Sequence, residues 1–401
     1  MNTYSLKFYD LLSLALGSND SYVLQTYLDN VMASKYNELN IPGFDWSEGM
    51  SPDFTVEVLY KNVDIIPMAQ YVDLDSPAVP IGTKGMNGYT AKIPRMKLSE
   101  YYNEDKVRKV MLAERRLNGL RRNGTSDVIN AARNTLFVTV DTLFGAHVNS
   151  LSYQRHQMVS KGLLEINSTN NPLGVAGLRI EAKVPTKNVT TLKGAERWWT
   201  AQSSGKYSTP GSDCDPVKDL RNMVRNAQLQ GLRSMHFELE FNYADQVVAH
   251  PEIVKAIATE LLVGAVNEDW ATAKVNYMTT EAKLEVLGKM VGAPIRIIDH
   301  ISTVQKWDKD KQKMTDIQLN AFEPGVIVLV PDGQIGEIVP VEPIVVNDPA
   351  ATYGGFFDGR LLLTVTYDAS KKAQAYETEL TALSAPTMPQ YMYYLYPYNA
   401  S

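Results

Sequence analysis

The side chains that most often perform catalysis are scarce in this sequence. The chain contains one cysteine, Cys214, and five histidines. General acid–base and nucleophilic catalysis need such groups to converge on one site. His147 and His156 fall on one predicted helix but on roughly opposite faces, so they do not form a helical metal pair. We therefore interpret the histidines as structural, expect a buried structural thiol at Cys214, and predict no catalytic, cofactor-binding or metal site.

Three further patterns match chemical sites only in part. Asp73 and Asp75 share one side of an extended strand, where paired carboxylates could transfer protons, but solvated acids at a strand end explain them as well. The glycines of Ile81–Tyr89 lack the Gly-Lys-Ser/Thr ending of a phosphate loop, which favours a flexible tip. The alternating acids of Asp308–Lys311 lack the central glycine and closing glutamate of a calcium loop, which favours an exposed hairpin end.

A basic cluster is the best candidate for nucleic-acid contact. It consists of Arg115, Arg116, Arg121 and Arg122, with no aromatic residues interleaved for stacking on bases. A salt-bridge function between subunits explains it equally well. The net charge of -6 argues against a protein whose main function is to grip nucleic acid, although a wall lying next to nucleic acid remains compatible with it.

The elements that position these residues begin with an amphipathic helix, predicted from Ser18 to about Lys35 by apolar residues at helical spacing. A run rich in glycine and proline follows, so residues 1–55 are expected to form an arm and not a core. Between residues 56 and 100 short extended pieces alternate with turn formers. These strands have little apolar content, so we expect a projecting hairpin that needs a partner outside it.

The clearest element is a long helix that starts at the capping cluster Thr125–Asp127 and ends at Lys161, before Gly162. At ~1.5 Å per residue it should be roughly 50 Å long. Gly145 lies within it and should lower its stability by up to about 1 kcal/mol relative to alanine.

The rest of the chain mixes helices and strands without regular alternation, which indicates an α+β fold. A helix is predicted after the cap Asp215, and a half-buried strand with a period of two is predicted at His236–Phe241. Other helices are expected at 251–263 and 280–291, and strands at 163–166, 178–184, 295–298, 316–322, 325–330, 335–339, 361–367, 375–382 and within 391–398.

Composition narrows the class of protein. The 401 residues, 44% hydrophobic, can build two or three cores of ordinary size. A single cysteine excludes an intrachain disulfide and suits a reducing cytoplasm. We expect no export signal at the amino terminus, and no stretch reaches the roughly 20 apolar residues that span a bilayer.

Several segments recur in a characteristic order: Ile66–Val72, Asp215–Leu220 followed by the strand around Phe237, His250–Val254, Val291–Ile295 and Pro324–Gly336. Their order and spacing together resemble the capsid fold named after phage Hong Kong 97, and within it the major capsid proteins similar to that of phage lambda. The resemblance covers most of the chain from about residue 60 onward. It implies an N-terminal arm at 1–55, an extended loop at 56–110, a peripheral domain at 111–244 with a spine helix at 126–161, an axial domain at 245–345, and a return to the peripheral domain at 346–401.

The resemblance also implies a function. It is that of a non-enzymatic capsid protein of the virion, assembled in the bacterial host cytoplasm. Its copies would form pentamers and hexamers of an icosahedral or prolate shell around double-stranded DNA, which is enclosed without sequence-specific binding. Portal, scaffold and decoration proteins are further expected partners, while no cofactor or membrane is expected. The residues implied at intersubunit contacts are Ile81, Lys84, Met86, Tyr89, Arg95, Arg115 and Arg116.

Two alternatives remain open at the level of sequence. A bacterial encapsulating compartment, an encapsulin-like shell, would share the fold and package an enzyme instead of a genome. A cytoplasmic hydrolase using Asp73 or a histidine would be a monomer or small oligomer with a concave site. Size-exclusion chromatography separates the hydrolase from both shells, because only shells predict megadalton species.

Overall fold

The computed structural model describes residues 41–61, 86–102, 125–174, 176–203, 206–261, 268–308, 310–344, 351–356, 359–368 and 373–398. Within these ranges the mixture of helices and strands confirms the predicted α+β class. The arm helix, Asp73, Asp75 and the arginine cluster at 115–122 lie outside the described residues. In the ranges above, no helix is both long enough and apolar enough to cross a bilayer.

The described helices are α1 (Thr125–Lys161), α2 (Pro216–Leu229), α3 (Phe241–Val248), α4 (Pro251–Leu261), α5 (Glu268–Tyr277) and α6 (Thr280–Val291). The long predicted helix is confirmed as α1, which has 37 residues. It ends where Gly162 adopts a φ of 65° and donates its N–H to the Met158 carbonyl at 3.0 Å. Gly145 does not interrupt it, and no atom lies within 4 Å of where a Cβ would stand.

Local capping signals fix the ends of two further helices. The Asp215 carboxylate accepts a hydrogen bond from the Lys218 N–H at 3.0 Å, and Pro216 occupies the first turn of α2, as predicted. The Thr279 hydroxyl accepts from a backbone N–H in the first turn of α6, and Gly292 ends that helix at a φ of 87°. Helices α3 and α5 were not predicted.

The described strands are β1 (Phe44–Trp46), β2 (Thr55–Lys61), β3 (Met86–Lys92), β4 (Arg95–Tyr102), β5 (Leu163–Ile166), β6 (Leu178–Glu181), β7 (Val189–Thr191), β8 (Trp199–Ser203), β9 (Lys206–Pro210), β10 (Met235–Glu240), β11 (Ile295–Ile298), β12 (Ile301–Asp308), β13 (Lys313–Asn320), β14 (Ile327–Pro331), β15 (Gly336–Pro340), β16 (Ala351–Phe356), β17 (Leu361–Asp368), β18 (Ala373–Pro386) and β19 (Tyr393–Tyr396). The predictions at 163–166 and 295–298 are confirmed to the residue. The strand predicted at 178–184 ends at Glu181, and the one predicted at 316–322 is shifted to become β13.

The chain divides into two compact units. The first comprises residues 1–56, 92–152 and 338–383, and the second comprises 57–91, 153–337 and 384–401. Most of a six-stranded sheet belongs to the first unit, with the order β1-β15-β18-β17-β16 and β4 also paired with β18.

The second unit contains a five-stranded sheet with the order β11-β10-β14-β19-β7. Its outer pairs, β10 with β11 and β19 with β7, are parallel, and the inner pairs are antiparallel. Side chains from this sheet and from α2, α3, α4 and α6 share one apolar core, which includes Phe237, Tyr243, Ile253 and Leu287. Burial of this core stabilises the unit.

Strand β10 corrects the prediction of a half-buried strand at His236–Phe241. All six of its residues are buried, because β10 lies between β11 and β14 inside the sheet. Phe241 instead begins α3, where the Glu240 carboxylate accepts a hydrogen bond from the Tyr243 N–H at 2.8 Å. The alternation of charged and apolar residues in β10 reflects a buried polar face and not a solvated one.

Candidate functional site

Arg95, a predicted intersubunit residue, begins β4, which pairs with β18 in antiparallel register. Its Nη2 donates to Glu379 Oε2 at 2.6 Å, while Lys97 Nζ lies 2.7 Å from Glu377 Oε1 and 3.0 Å from Glu379 Oε2. Burial raises the pKa of Glu379, but hydrogen bonds from Arg95 and Lys97 outweigh it and lower that pKa below its ordinary value. Arg95 therefore supports the β4–β18 pairing within its own chain, with half of its side chain exposed.

Tyr89, another predicted contact residue, lies on β3, which forms a two-stranded ribbon with β2. Its side chain is buried, and its hydroxyl donates to the Pro386 carbonyl at 3.1 Å. Next to it, a Cβ on Gly88 would stand 2.9 Å from Leu59 Cδ2, so glycine permits the close approach of the two strands. Leu59 itself is 52% exposed. The β2–β3 ribbon thus anchors one side chain and presents another to solvent.

The remaining predicted contact residues divide into two groups. Met86 is the first residue of β3. Ile81, Lys84, Arg115 and Arg116 lie outside the described residues. None of the seven is tested as a contact between subunits, so that assignment remains a prediction.

A second two-stranded ribbon, formed by β12 and β13, is far larger than the predicted hairpin end at Asp308–Lys311. At its turn, Asp308 Oδ1 accepts hydrogen bonds from the N–H groups of Asp310 at 3.0 Å and Lys311 at 3.1 Å. The predicted hairpin end is therefore confirmed. Of the ribbon behind it, only part of β13 was predicted, as the strand at 316–322.

One face of this ribbon is exposed along its whole length. Because side chains alternate along a strand, every second residue points to the same side. Trp307 and Met314 are direct cross-strand partners near the tip, and each is 47% exposed. We call this surface the ribbon face; its exposed members are Ile301, Thr303, Gln305, Trp307, Met314, Asp316, Gln318 and Asn320. The opposite side holds half-buried Val304, Ile317 and Leu319.

A groove of 510 Å³ lies between α6 and β11. Strand β11 terminates the five-stranded sheet, and among the described residues it pairs with β10 alone. We call this the α6–β11 groove. Its apolar lining includes Leu284, Pro294, Ile295 and Ile297, and its charged lining consists of Glu281, Glu285 and Lys289.

A buried charged cluster joins the last turns of α1 to β10. Arg155 Nη1 donates to Glu238 Oε2 at 2.8 Å, and Nη2 donates to the other carboxylate oxygen. His236 lies between two acids, 2.6 Å from Asp332 Oδ1 and 3.4 Å from Glu238 Oε1. Burial raises the pKa of Glu238, but the charge of Arg155 outweighs burial and the pKa falls to about 2. Glu238 is paired and withdrawn from solvent, whereas Asp332 is paired but 30% exposed. The geometry around Glu238 is an arrangement for structure and not for proton transfer to a substrate.

The lone thiol lies next to an imidazole. Cys214 Sγ is 3.8 Å from His250 Nε2, but that nitrogen is 2.9 Å from the Trp198 carbonyl and donates to it. Burial raises the pKa of the thiol, which opposes formation of a nucleophilic thiolate. The prediction of a buried thiol at Cys214 is wrong, because Cys214 lies just before α2 and is partly exposed.

The other chemical candidates give a similar result. His147 is buried, with its Nε2 3.0 Å from the Thr378 hydroxyl, in keeping with the structural function predicted for it. Across the described ranges, no three or more His, Cys, Asp or Glu side chains are grouped so as to hold a metal ion.

Sequence reasoning missed the exposed apolar side chains of the ribbon, which are Ile301, Trp307 and Met314. The apolar residues of β12 are spaced three apart, at 301, 304 and 307, so its sequence lacks the period of two that indicates a half-buried strand. Which face of the ribbon is covered depends on the register with β13 and on neighbouring elements.

No known protein family and no curated protein matches the sequence. Among solved structures, the chain is similar to a phage-related protein of Bordetella bronchiseptica RB50, with 12% identity and a TM-score of 0.43 over 98% of this chain and 97% of that one. It is similar to the capsid protein of cyanophage A-1(L), with 9% identity and a TM-score of 0.42 over 91% and 92% of the two chains. An encapsulin of Synechococcus elongatus PCC 7942 has 10% identity and a TM-score of 0.32 over 89% and 85%. All three TM-scores are below 0.5.

Proposed function

We propose that this protein is a shell-forming major capsid protein of a tailed bacteriophage, with the Hong Kong 97 type of fold. Its copies would form pentamers and hexamers that close into a shell around double-stranded DNA. Membership of the lambda-type group is the finer part of the proposal and is supported by the order of the sequence segments from Ile66 to Gly336.

The observation that carries the proposal is the pair of two-stranded ribbons with exposed apolar side chains. An isolated two-stranded ribbon is marginally stable in water, and its unpaired edges invite further strands. Leu59 on one ribbon and Trp307 on the other are 52% and 47% exposed. A chain that repeats such surfaces in every copy gains most by covering them with other copies of itself.

Within the proposal, the parts of the chain have separate functions. Helix α1 is the spine of a peripheral domain at 111–244, and residues 56–110 are the extended loop that overlaps a neighbour. Residues 245–345, which include β12 and β13, are the axial domain near the centre of each ring. Residues 1–55 are the arm, and 346–401 return to the peripheral domain. Portal, scaffold and decoration proteins would complete the particle in the host cytoplasm.

The test is assembly of the purified full-length chain. Size-exclusion chromatography and negative-stain microscopy should reveal megadalton closed particles built from rings of five and six. A chain that stays a monomer or small oligomer over a wide range of concentration and salt would overturn the proposal. A portal and terminase encoded beside this chain would separate a phage shell from an encapsulating compartment.

A further inference from the structure

We propose that the last two turns of α1 fix the direction in which the β12–β13 ribbon projects, and so the geometry of the contacts that the ribbon makes between copies. The residues concerned are His156, Gln157, Ser160 and Lys161, which we call the α1 clamp. The direction of the ribbon is a property of a single chain, while its effect on contacts between copies rests on the proposed function and deepens it. The clamp and the ribbon both belong to the second unit.

The outer half of the ribbon projects into solvent on both faces. Gln305, Lys306 and Trp307 are all exposed, and consecutive residues of a strand point to opposite sides. Among the described strands, β12 and β13 pair only with each other. At the base of the ribbon, by contrast, Ala321 and Phe322 are completely buried. The described contacts that can set the direction of the ribbon are therefore those of its base.

Two hydrogen bonds fasten the chain just after β13 to α1. Gln157 Nε2 donates to the Ala321 carbonyl at 2.6 Å, and the Glu323 N–H donates to Ser160 Oγ at 3.1 Å. Gln157 and Ser160 are both buried. Lys161 Nζ adds an ion pair with Glu323 Oε2 at 2.7 Å. Because both hydrogen bonds go to backbone groups, they constrain the path of the chain itself.

The chain just before β12 reaches the same part of α1 through His300. The centroid of the His300 ring lies 5.1 Å from that of the His156 ring, and the His300 carbonyl accepts a hydrogen bond from the Ala321 N–H at 3.3 Å. The Phe322 ring packs edge-on against His156, with the centroids 6.4 Å apart. Both strands of the ribbon are thus attached at one short stretch of α1.

Hydrogen bonds are suited to fixing an orientation. The attraction between apolar surfaces is non-directional, whereas a hydrogen bond weakens steeply when its angle departs from a straight line. Each strand of the ribbon has eight residues and is roughly 26 Å long at about 3.3 Å per residue. A tilt of ~15° at the base would therefore move the tip by ~7 Å. A closed ring repeats one contact, so that angle has to be the same in every copy.

The first experiment measures the direction of the ribbon in the unassembled full-length chain. Spin labels are attached at Lys313→Cys near the ribbon tip and at Leu229→Cys at the end of α2, in a Cys214→Ser background. Lys313 and Leu229 are both exposed and belong to the second unit. Double electron–electron resonance gives the distribution of distances between the labels. Ser160→Ala with Gln157→Met should shift or widen that distribution by about 5 Å or more, given the length of the ribbon.

Asn188→Ala is the matched control, because it removes the same kind of hydrogen bond away from the ribbon. Asn188 is buried, and its Nδ2 donates to the carbonyls of Gln390 at 2.8 Å and Met392 at 3.2 Å. We expect a similar loss of stability in urea denaturation and an unchanged distance distribution.

Far-ultraviolet circular dichroism shows whether each variant is folded. Ser160→Ala and Gln157→Met are also tested singly, in case the double variant does not fold. An unchanged distance distribution in a folded clamp variant, or equal widening in Asn188→Ala, would overturn the function of the clamp.

The second experiment compares the assembly of unlabelled chains by negative-stain microscopy. The clamp variant should give a wider range of particle sizes than the wild type and Asn188→Ala, or no closed particles at all. A range no wider than that of the wild type, from a variant whose label distances have widened, would overturn the effect on contacts between copies. A wild type that forms no particles would instead overturn the proposed function, and the label distances would still decide whether the clamp fixes the ribbon.

Discussion

Two regions of the second unit, the charged cluster and the ribbon face, differ in which kind of side chain they bury and which they expose. In the charged cluster, Arg155 and Glu238 are only 3% and 2% exposed and bind each other through both oxygens of the carboxylate. In the ribbon face, Trp307 and Met314 are each 47% exposed. Charged residues usually lie outside and large apolar ones inside, so each region reverses the common distribution.

The difference indicates where each region finds its partners. The cluster satisfies its hydrogen bonds with groups of the same chain, so its energy contributes to folding. The ribbon face leaves apolar area in water, where burial would be worth roughly 25 cal/mol per Å². This apolar area contributes no stabilising free energy while it is exposed on a single copy. It would contribute if a neighbouring copy covered it.

Arg155→Met should lower the free energy of unfolding by about 3–5 kcal/mol. The substitution leaves the buried Glu238 carboxylate without its main counter-charge, and an uncompensated buried charge costs that amount. Urea denaturation of the unassembled chain measures the loss. The double variant Arg155→Met with Glu238→Leu is the control and should recover much of it. A loss below about 1 kcal/mol for Arg155→Met would show that water reaches the Glu238 carboxylate and screens its charge.

Acid should destabilise the cluster through the buried His156, whose Nδ1 lies 2.9 Å from Arg155 Nη1. Burial, with help from the charge of Arg155, lowers the pKa of His156 from 6.5 to about 3. Between these two pKa values the unfolded chain binds a proton that the folded chain does not. The contribution of the neutral His156 to the free energy of unfolding is therefore complete above pH 6.5 and is lost as the pH falls toward 3. Glu238 acts in the same direction below its ordinary value of 4.5, because its folded pKa is about 2.

The variant His156→Gln isolates the first of these effects. Between pH 7 and pH 5 the free energy of unfolding should fall by about 2 kcal/mol more in the wild type than in the variant. Each pKa unit is worth about 1.4 kcal/mol. Urea denaturation at both pH values gives the comparison. Other buried histidines, such as His147, titrate in both proteins and cancel in the difference. Parallel stability curves for the two proteins would contradict the buried, neutral state of His156.

Arg95→Ala tests an ion pair of intermediate exposure. The side chain of Arg95 is 50% exposed and that of Glu379 is 11% exposed. We expect a loss of about 1 kcal/mol or less, because solvent screens the pair and Lys97 still neutralises Glu379. The loss should shrink further at high salt, where exposed charges are screened. Urea denaturation at low and high salt measures this loss in the free energy of unfolding. If it is as large as that of Arg155→Met and does not shrink at high salt, burial does not explain the difference between the two ion pairs.

The sequence predicted best the elements whose signals are local. Helix α1 ends at Lys161 as expected, because Gly162 supplies the left-handed stop, and α2 starts at its Asp215 cap. Neither end depends on a distant residue. The burial of β10 was missed because it depends on β11 and β14, which follow it by more than fifty residues in the chain.

The candidate site shows the same limit. Arg155 and Glu238 are 83 residues apart, and no spacing rule brings a helical arginine to a carboxylate in a strand. The ribbon face was missed for a related reason, because the pairing of Trp307 with Met314 is set by the register of two strands. Arg95 was selected through resemblance alone, and its bond to Glu379 spans 284 residues.

The smallest expected effect belongs to the ribbon face itself. Trp307→Thr should change the unfolding free energy of the unassembled chain by no more than about 0.5 kcal/mol, because substitutions at exposed sites without special partners are usually that mild. Threonine keeps the preference for a strand, and only the cross-strand contact with Met314 is lost. Urea denaturation below the assembly concentration measures it, with Leu173→Thr as the reference. A loss above about 2 kcal/mol would place Trp307 among the residues that hold the chain's own fold together, and the contrast between a self-sufficient cluster and a partner-dependent ribbon would disappear.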